Sequence, residues 1–373
     1  MNKKKINWGY FGSLILSVVL ALAVGAAIMA ATGYDPLNAY HELFRGATGC
    51  DNLGQVFTGL FTKRQFGNTV EYAMVLFLTG LACAVGARAG IFNVGGEGQL
   101  YLGAIVSAYI GVVLNGLSPW IVIPVAALGA MAAGALYAWI PGVLKVKKKV
   151  NEVITTIMMN SIAALLTEYI VKSYFQRPGA SNTETVVVNE GSILPRIFPS
   201  TQFNYGVLVA LFCVVVVTWM LYKTPFGFSL RAMGSNPRAM QQAGLPIYGR
   251  TIAAMCISGG LFALGGSIQC LAVYKRFVMG FSPGYGWDGI TVATLAMNSP
   301  VGVLLSAFLF GMLRSASISM SLTSQVTTEM ISVLQGFIVM LVASPDVWNV
   351  LGHLWQRLKS CVGRGRKQEG AAE

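Results

Sequence analysis

Asn93, Glu97 and Gln99 stand close together in Ile91-Phe92-Asn93-Val94-Gly95-Gly96-Glu97-Gly98-Gln99-Leu100, hard against long apolar sequence. An acid and two amides placed there can bind a solute, gate a path, or hydrogen-bond neighbouring helices. An ionisable side chain in hydrocarbon costs about 2.5–3.5 kcal/mol on insertion scales, so it turns toward protein or a water-filled route. The glycines around it let the backbone bend or let helices approach closely. Trp287 and Asp288 form a second such place: Gly286-Trp287-Asp288-Gly289 repeats the Gly-x-acid-Gly order of Gly95-Gly96-Glu97-Gly98 about half a chain later. At both places a carboxylate beside a helix start is also stabilised by the helix dipole, a purely structural reason for its presence.

The elements that must hold these groups are membrane spans. Only 11% of the 373 residues are charged and 55% are hydrophobic, whereas a soluble chain is about 25% charged. Mean hydropathy is +0.63. Charge-free runs such as Ile6–Tyr34 and Gly98–Leu144 exceed the roughly 20 apolar residues of one crossing. Asn115-Gly116-Leu117-Ser118-Pro119 supplies a turn inside the second. The pattern predicts an all-α polytopic protein with about ten transmembrane helices, near 10–32, 70–87, 97–114, 119–143, 153–171, 205–222, 251–273, 287–298, 301–319 and 326–344. With both termini in the cytoplasm, most of the 26 basic residues fall on the inner side, as the positive-inside rule requires. That bias accounts for the net charge of +12, and a nucleic-acid partner is not expected. The Lys-rich start followed by a long apolar run reads as an uncleaved first span rather than a secretory signal.

The whole chain, 1–373, reads as one transmembrane domain. Residues 33–69 and 172–204 are the larger outer segments, 223–250 the large cytoplasmic loop and 345–373 a basic cytoplasmic tail. Within 223–250, Asn236 is placed to cap a short helix, Pro237 suits its first position and Gly244 its end. A solvated loop is the plain alternative to a docking surface. The paired Gly-x-acid-Gly motifs, five spans apart, would enter from opposite faces, as an inverted repeat of two five-helix halves demands; chance in a Gly-rich chain is the alternative. Glu71 and Glu168 fall at span ends and read as interfacial. Arg314 either pairs with Glu329 or reaches the outer surface. Gly284-Tyr285-Gly286-Trp287-Asp288-Gly289 imitates a dinucleotide fingerprint but lacks the βαβ unit that gives it meaning. No Gly-x-x-x-x-Gly-Lys-[Ser/Thr] sequence occurs, so the chain lacks that kind of ATPase site. Six cysteines without paired spacing and two distant histidines indicate neither a disulfide framework nor a metal site.

Three ordered motifs carry a resemblance. Phe92-Asn93-Val94-Gly95-Gly96-Glu97-Gly98-Gln99 with Leu102-Gly103-Ala104 resembles the hallmark of ABC-importer permeases for branched-chain amino acids, ribose and nucleosides. Gly227-Phe228-Ser229-Leu230-Arg231-Ala232-Met233-Gly234-Ser235-Asn236-Pro237-Arg238-Ala239 resembles that family's ATPase-facing loop, and Gly286-Trp287-Asp288-Gly289-Ile290-Thr291-Val292-Ala293 with Asn298-Ser299-Pro300-Val301-Gly302 its later motif. The resemblance covers about 70–345 and is nearest to the larger permease of nucleoside importers, with Gly96 where many members carry Ala. It implies a permease subunit of an ATP-driven importer in a bacterial cytoplasmic membrane, without covalent chemistry or bound cofactor of its own. ATP and Mg would act through a partner ATPase; a second, paralogous permease and a substrate-binding lipoprotein would complete the system. Arg231, Gly234, Ser235, Asn236, Pro237, Arg238, Ala239 and Gly244 would then form the ATPase-coupling region. Asn93, Glu97, Gln99, Trp287 and Asp288 are the candidates for the path or its gate. Nucleosides rank first as solute, with ribose-type sugars or branched-chain amino acids as alternatives. An ion-coupled secondary carrier is the rival class, and a channel a third.

Overall fold

A computed structural model describes residues 8–51, 60, 63–323, 332, 333, 336, 337 and 340. The chain divides into two compact units, one joining Met1–Tyr40 with Ser324–Glu373 and one running His41–Thr323. In the first, α1 (Trp8–Ala31) is followed by the start of α2 (Pro36–Thr48), and the Tyr40 hydroxyl donates to the Leu22 carbonyl. The expected span 326–344 lies outside the described residues except for Ser332, Val333, Gly336, Phe337 and Met340, which are helical; Glu329 and the tail 345–373 also lie outside them.

The second unit holds α3 (Arg64–Arg88), α4 (Gly96–Val113), α5 (Pro119–Lys148), α6 (Glu152–Ile170), α7 (Gly206–Lys223), α8 (Pro225–Ser235), α9 (Pro237–Gln242), α10 (Ile247–Ile268), α11 (Tyr285–Leu295) and α12 (Pro300–Thr323). Both α6 and α10 widen into a π turn at their ends, Val171–Phe175 and Gln269–Tyr274. Among the described residues, six helices (α3, α5, α6, α7, α10 and α12) are long and apolar enough to cross a membrane. Capping residues set several starts. Asn151 accepts from the Val153 N–H at 2.9 Å to open α6, and Thr224 accepts from Gly227 at 3.0 Å to open α8, with Pro225 at its first position.

The interior is built around α3 and α10, the two most buried of these helices. In lipid there is no hydrophobic drive between helices, so close packing of small residues must supply the attraction. α10 carries Gly259, Gly260, Ala263, Gly265 and Gly266 on buried positions. A Cβ on Gly266 would run into the Leu100 carbonyl of α4, and one on Gly103 of α4 into the Ala263 carbonyl. Gly134 of α5 and Gly259 make the same backbone approach on the other side of α10. The second half of α2 docks by hydrogen bonds: Thr69 Oγ1 donates to the Ala47 carbonyl at 2.7 Å and Ser315 Oγ to the Gly46 carbonyl at 3.1 Å.

Several boundaries differ from those expected. α3 begins at Arg64 rather than 70, because Gln65 to Asn68 continue the helix under α2 despite their polarity. The expected outer segment 33–69 contains α2, and the loop 223–250 contains α8 as well as the short helix anticipated after Asn236. The expected span 287–298 is the eleven-residue α11. Gly266→Val should cost about 3 kcal/mol or more, since the overpacked neighbour is backbone. Thermal unfolding followed by size-exclusion chromatography in mild detergent reads this out. Gly249→Ala, with open space around it, should behave as wild type; a normal profile for Gly266→Val would contradict the packing described.

Candidate functional site

After α3 the chain turns at Gly90 (φ +70°) and runs without regular structure through Ile91–Val94 before α4 begins at Gly96. Backbone groups in such a break must find partners inside the protein. Side chains of α6 and of Asn93 within the break supply them. Asn160 of α6 accepts from the Gly98 N–H at 2.9 Å and donates to the Val94 carbonyl at 2.9 Å, while Thr156 Oγ1 accepts from Val94 at 3.3 Å. Asn93 Oδ1 accepts from Gly95 at 3.0 Å and from Gln99 Nε2 at 3.3 Å. Its Nδ2 donates to Gln99 Oε1 at 3.0 Å and to Ser258 Oγ of α10 at 2.9 Å. Asn93 is 4% exposed and Gln99 1%. Together these two amides tie the broken segment to α10.

Glu97 has a different partner. Its Oε1 accepts from the Gly286 N–H at 2.7 Å, in the first turn of α11. The cap residue of α11, Gly284, has no side chain to offer, and Ser282 Oγ accepts from Gly284 at 3.3 Å and Tyr285 at 3.1 Å. Glu97 therefore caps α11 from across the bundle, satisfying an orphan N–H where the dipole favours negative charge. Gly286 permits this approach, since a Cβ there would strike the backbone of Gly96 and Glu97. The two Gly-x-acid-Gly segments thus open two helices whose first turns touch. Asp288, half buried one turn into α11, lies within the electrostatic reach of Arg314. Arg314 donates from Nη2 to the Pro283 carbonyl at 3.3 Å.

One face of α11 is open. Trp287 is 48% exposed, and Thr291 and Thr294 follow it at i+4 and i+7, so the three share a face. Beside it a small cavity between α3 and α11 is lined by Cys83, Phe92, Asn93, Ile290, Thr294 and Asn298, with Phe92 itself 48% exposed. Trp287 and Asp288 are legible in the sequence as candidates, and the Trp-x-x-x-Thr-x-x-Thr spacing adds Thr291 and Thr294 to the same face, with Phe92 beside it only in space. Behind α11, Tyr101 packs edge-on against Phe281 with ring centroids 5.2 Å apart, and Phe277 joins them. Glu71, expected at an interface, is only 8% exposed and accepts from Gln269 Nε2 at 3.3 Å. Glu168 pairs with Lys172 at 2.6 Å on an exposed surface.

The other candidate set lies on α8 and α9. Asn236 Oδ1 accepts from the Ala239 N–H at 3.0 Å, Pro237 takes the first helical position, and Gly244 turns the chain at φ +73°. Ser235, Asn236, Pro237, Arg238, Ala239 and Gly244 are exposed. Arg231 is held inward: Nε donates to the Leu221 carbonyl at 3.0 Å and the guanidinium lies 5.1 Å over the Tyr222 ring. Gly234 backs onto the Arg88 carbonyl with no room for a Cβ.

If Glu97 is a helix cap, Glu97→Gln should keep most of the stability, because an amide oxygen still accepts from Gly286. Glu97→Ala should lose about 1–2 kcal/mol. Equal thermal shifts for the two variants in detergent would contradict the cap.

Comparison with known proteins places this geometry. A family model described as branched-chain amino acid transport system / permease component matches residues 66–343. The guanosine ABC transporter permease protein NupP of Bacillus subtilis is 34% identical over 336 residues, covering 88% of this chain and 92% of that protein. A second Bacillus subtilis protein, the guanosine ABC transporter permease protein NupQ, is 28% identical over 68% of this chain and 82% of its own length. A glucose ABC transporter permease protein of Haloferax volcanii is 30% identical over 91% of this chain and 88% of that protein. The match spans the broken segment before α4, the α8–α9 pair and α11, and the chain belongs to the branched-chain amino acid transport system / permease component family.

Proposed function

We propose that this chain is the nucleoside-conducting permease of an ATP-driven importer in a bacterial cytoplasmic membrane. The observation that carries the reading is the exposed, doubly capped α8–α9 pair in a chain of a permease family. A rigid short helix at the basic end of the bundle is suited to seat in a groove of an ATPase. Arg231, Arg238, Ala239 and Gly244 would face the ATPase, while Gly234 and Asn236 hold the shape of the pair.

ATP and Mg act in the partner, and this chain performs no covalent chemistry. Closure of the ATPase pair displaces α8–α9, and the inner gate follows, giving alternating access. The path runs along the open face of α11, where Trp287 and Phe92 offer flat rings and Thr291 and Thr294 offer hydroxyls. A nucleoside needs both, a face to stack on and groups to bond its ribose. The similarity to NupP supports that solute, and the glucose permease keeps a sugar as the second reading. Two matching permeases in one organism support a paralogous second permease. A substrate-binding lipoprotein would deliver the solute. Ten spans, with both termini and the loop 223–250 in the cytoplasm, complete the proposed topology. The ion-coupled alternative loses one candidate, because Glu97 is engaged as a cap.

Purification from the native membrane in mild detergent should recover an ATPase and a second permease with this chain. Ala239→Trp, on the exposed face of α9, should abolish ATPase recovery while the permease pair stays together. Retention of the ATPase by that variant would remove α9 from the interface; recovery of the wild-type chain alone, from membranes whose other complexes survive, would favour a carrier.

A further inference from the structure

A recess lies between the ends of α3, α8 and α11 and has a volume of about 210 Å³; Arg88, Arg231, Gly234, Ser235, Met297 and Asn298 line it. We propose that it receives a carboxylate side chain of the ATPase subunit, a statement that rests on the permease reading above.

Both guanidiniums are held in place by carbonyls rather than by acids. Arg88 donates from Nε to the Asn298 carbonyl at 2.8 Å and from Nη2 to the Met297 carbonyl at 3.1 Å. Met297 and Asn298 adopt left-handed φ values of 50° and 54°, which side chains other than glycine rarely do. That turn is what aims both carbonyls at Arg88. Arg231 is fixed by Leu221 and Tyr222. Neither arginine is in an ion pair among the described residues, and no acid lines the recess. Elsewhere at this end stand Lys145, Lys147, Lys148, Lys149, Lys223, Arg238 and Arg250; the nearby acid Glu152 is bound to Lys145.

Two preorganised guanidiniums with no counter-charge call for an anion, and a planar carboxylate matches their fork best. The recess adjoins α8–α9, so a docked protein reaches it before a lipid headgroup in the membrane plane. Its position also matters mechanically. An occupant drawn against Arg88 competes for the bonds to Met297 and Asn298, at the end of α11 opposite the Glu97 cap. ATPase movement then reaches the open face of α11 through one residue.

Carbodiimide coupling joins an amine to a carboxyl group it touches and leaves guanidiniums unreacted. The complex purified with its native ATPase is treated after Arg231→Lys or Arg88→Lys, and cross-linked peptides are read by mass spectrometry. The expected result is a link from position 231, and one from position 88, to the same Asp or Glu of the ATPase. Arg231→Glu should reduce retained ATPase at least tenfold, where Arg231→Lys retains it. An intact variant complex that links through Lys223 but never through positions 88 or 231 overturns the proposal and leaves the permease reading standing. Absence of any ATPase from the wild-type preparation removes both.

Discussion

The hydrogen bond from the Gly286 N–H to Glu97 Oε1 is the contact on which the arrangement of the bundle depends. Hydrocarbon tolerates a helix that starts inside the membrane only if its first N–H groups find acceptors within the protein. Here two helices, α4 and α11, start against each other, and each supplies part of what the other lacks. Glu97 in the first turn of α4 serves α11, and the break before α4 is satisfied by Asn93, Thr156 and Asn160. The close packing of Gly103 and Gly266 keeps α4 and α10 near enough for Ser258 to reach Asn93.

From this constraint follows the character of α11. Eleven residues rise only about 16 Å, roughly half the hydrocarbon thickness, so both of its ends are set by protein contacts rather than by the membrane surfaces. Glu97 sets one end, and Arg88, through Met297 and Asn298, sets the other. Arg88 also meets Gly234 of α8 through its carbonyl. A continuous set of contacts therefore runs from the α8–α9 surface to the helix that bears Trp287, Thr291 and Thr294. The paired Gly-x-acid-Gly motifs acquire a physical meaning in this setting, since they open two helices whose first turns touch.

Local signals were legible in the sequence because their partners are close in the chain. Asn236, Pro237 and Gly244 mark α9 through capping and turn chemistry within a few residues. Apolar run length located the long helices for the same reason. What stayed hidden depends on distant partners. The partner of Asn93 on α10 is Ser258, 165 positions away, and Glu97 meets Gly286 189 positions away. Arg88 counted only as a topological charge until Met297 and Asn298 were seen to converge on it. Glu71 reads as interfacial if its span starts near residue 70, and the start at Arg64 places it inside. α8 is the exception, since Thr224-Pro225 is a readable helix start that was passed over in a loop.

The central claim is that α11 lies in a path driven by ATP through α8–α9. The most direct measurement is uptake of labelled guanosine into vesicles holding the chain with its co-purified subunits and binding protein, ATP on the ATPase side and no ion gradient. The account predicts accumulation that requires ATP hydrolysis, survives ionophores and is strongly reduced by Trp287→Ala with ATPase association intact. Uptake that ignores ATP and appears only when a proton or sodium gradient is imposed would contradict it.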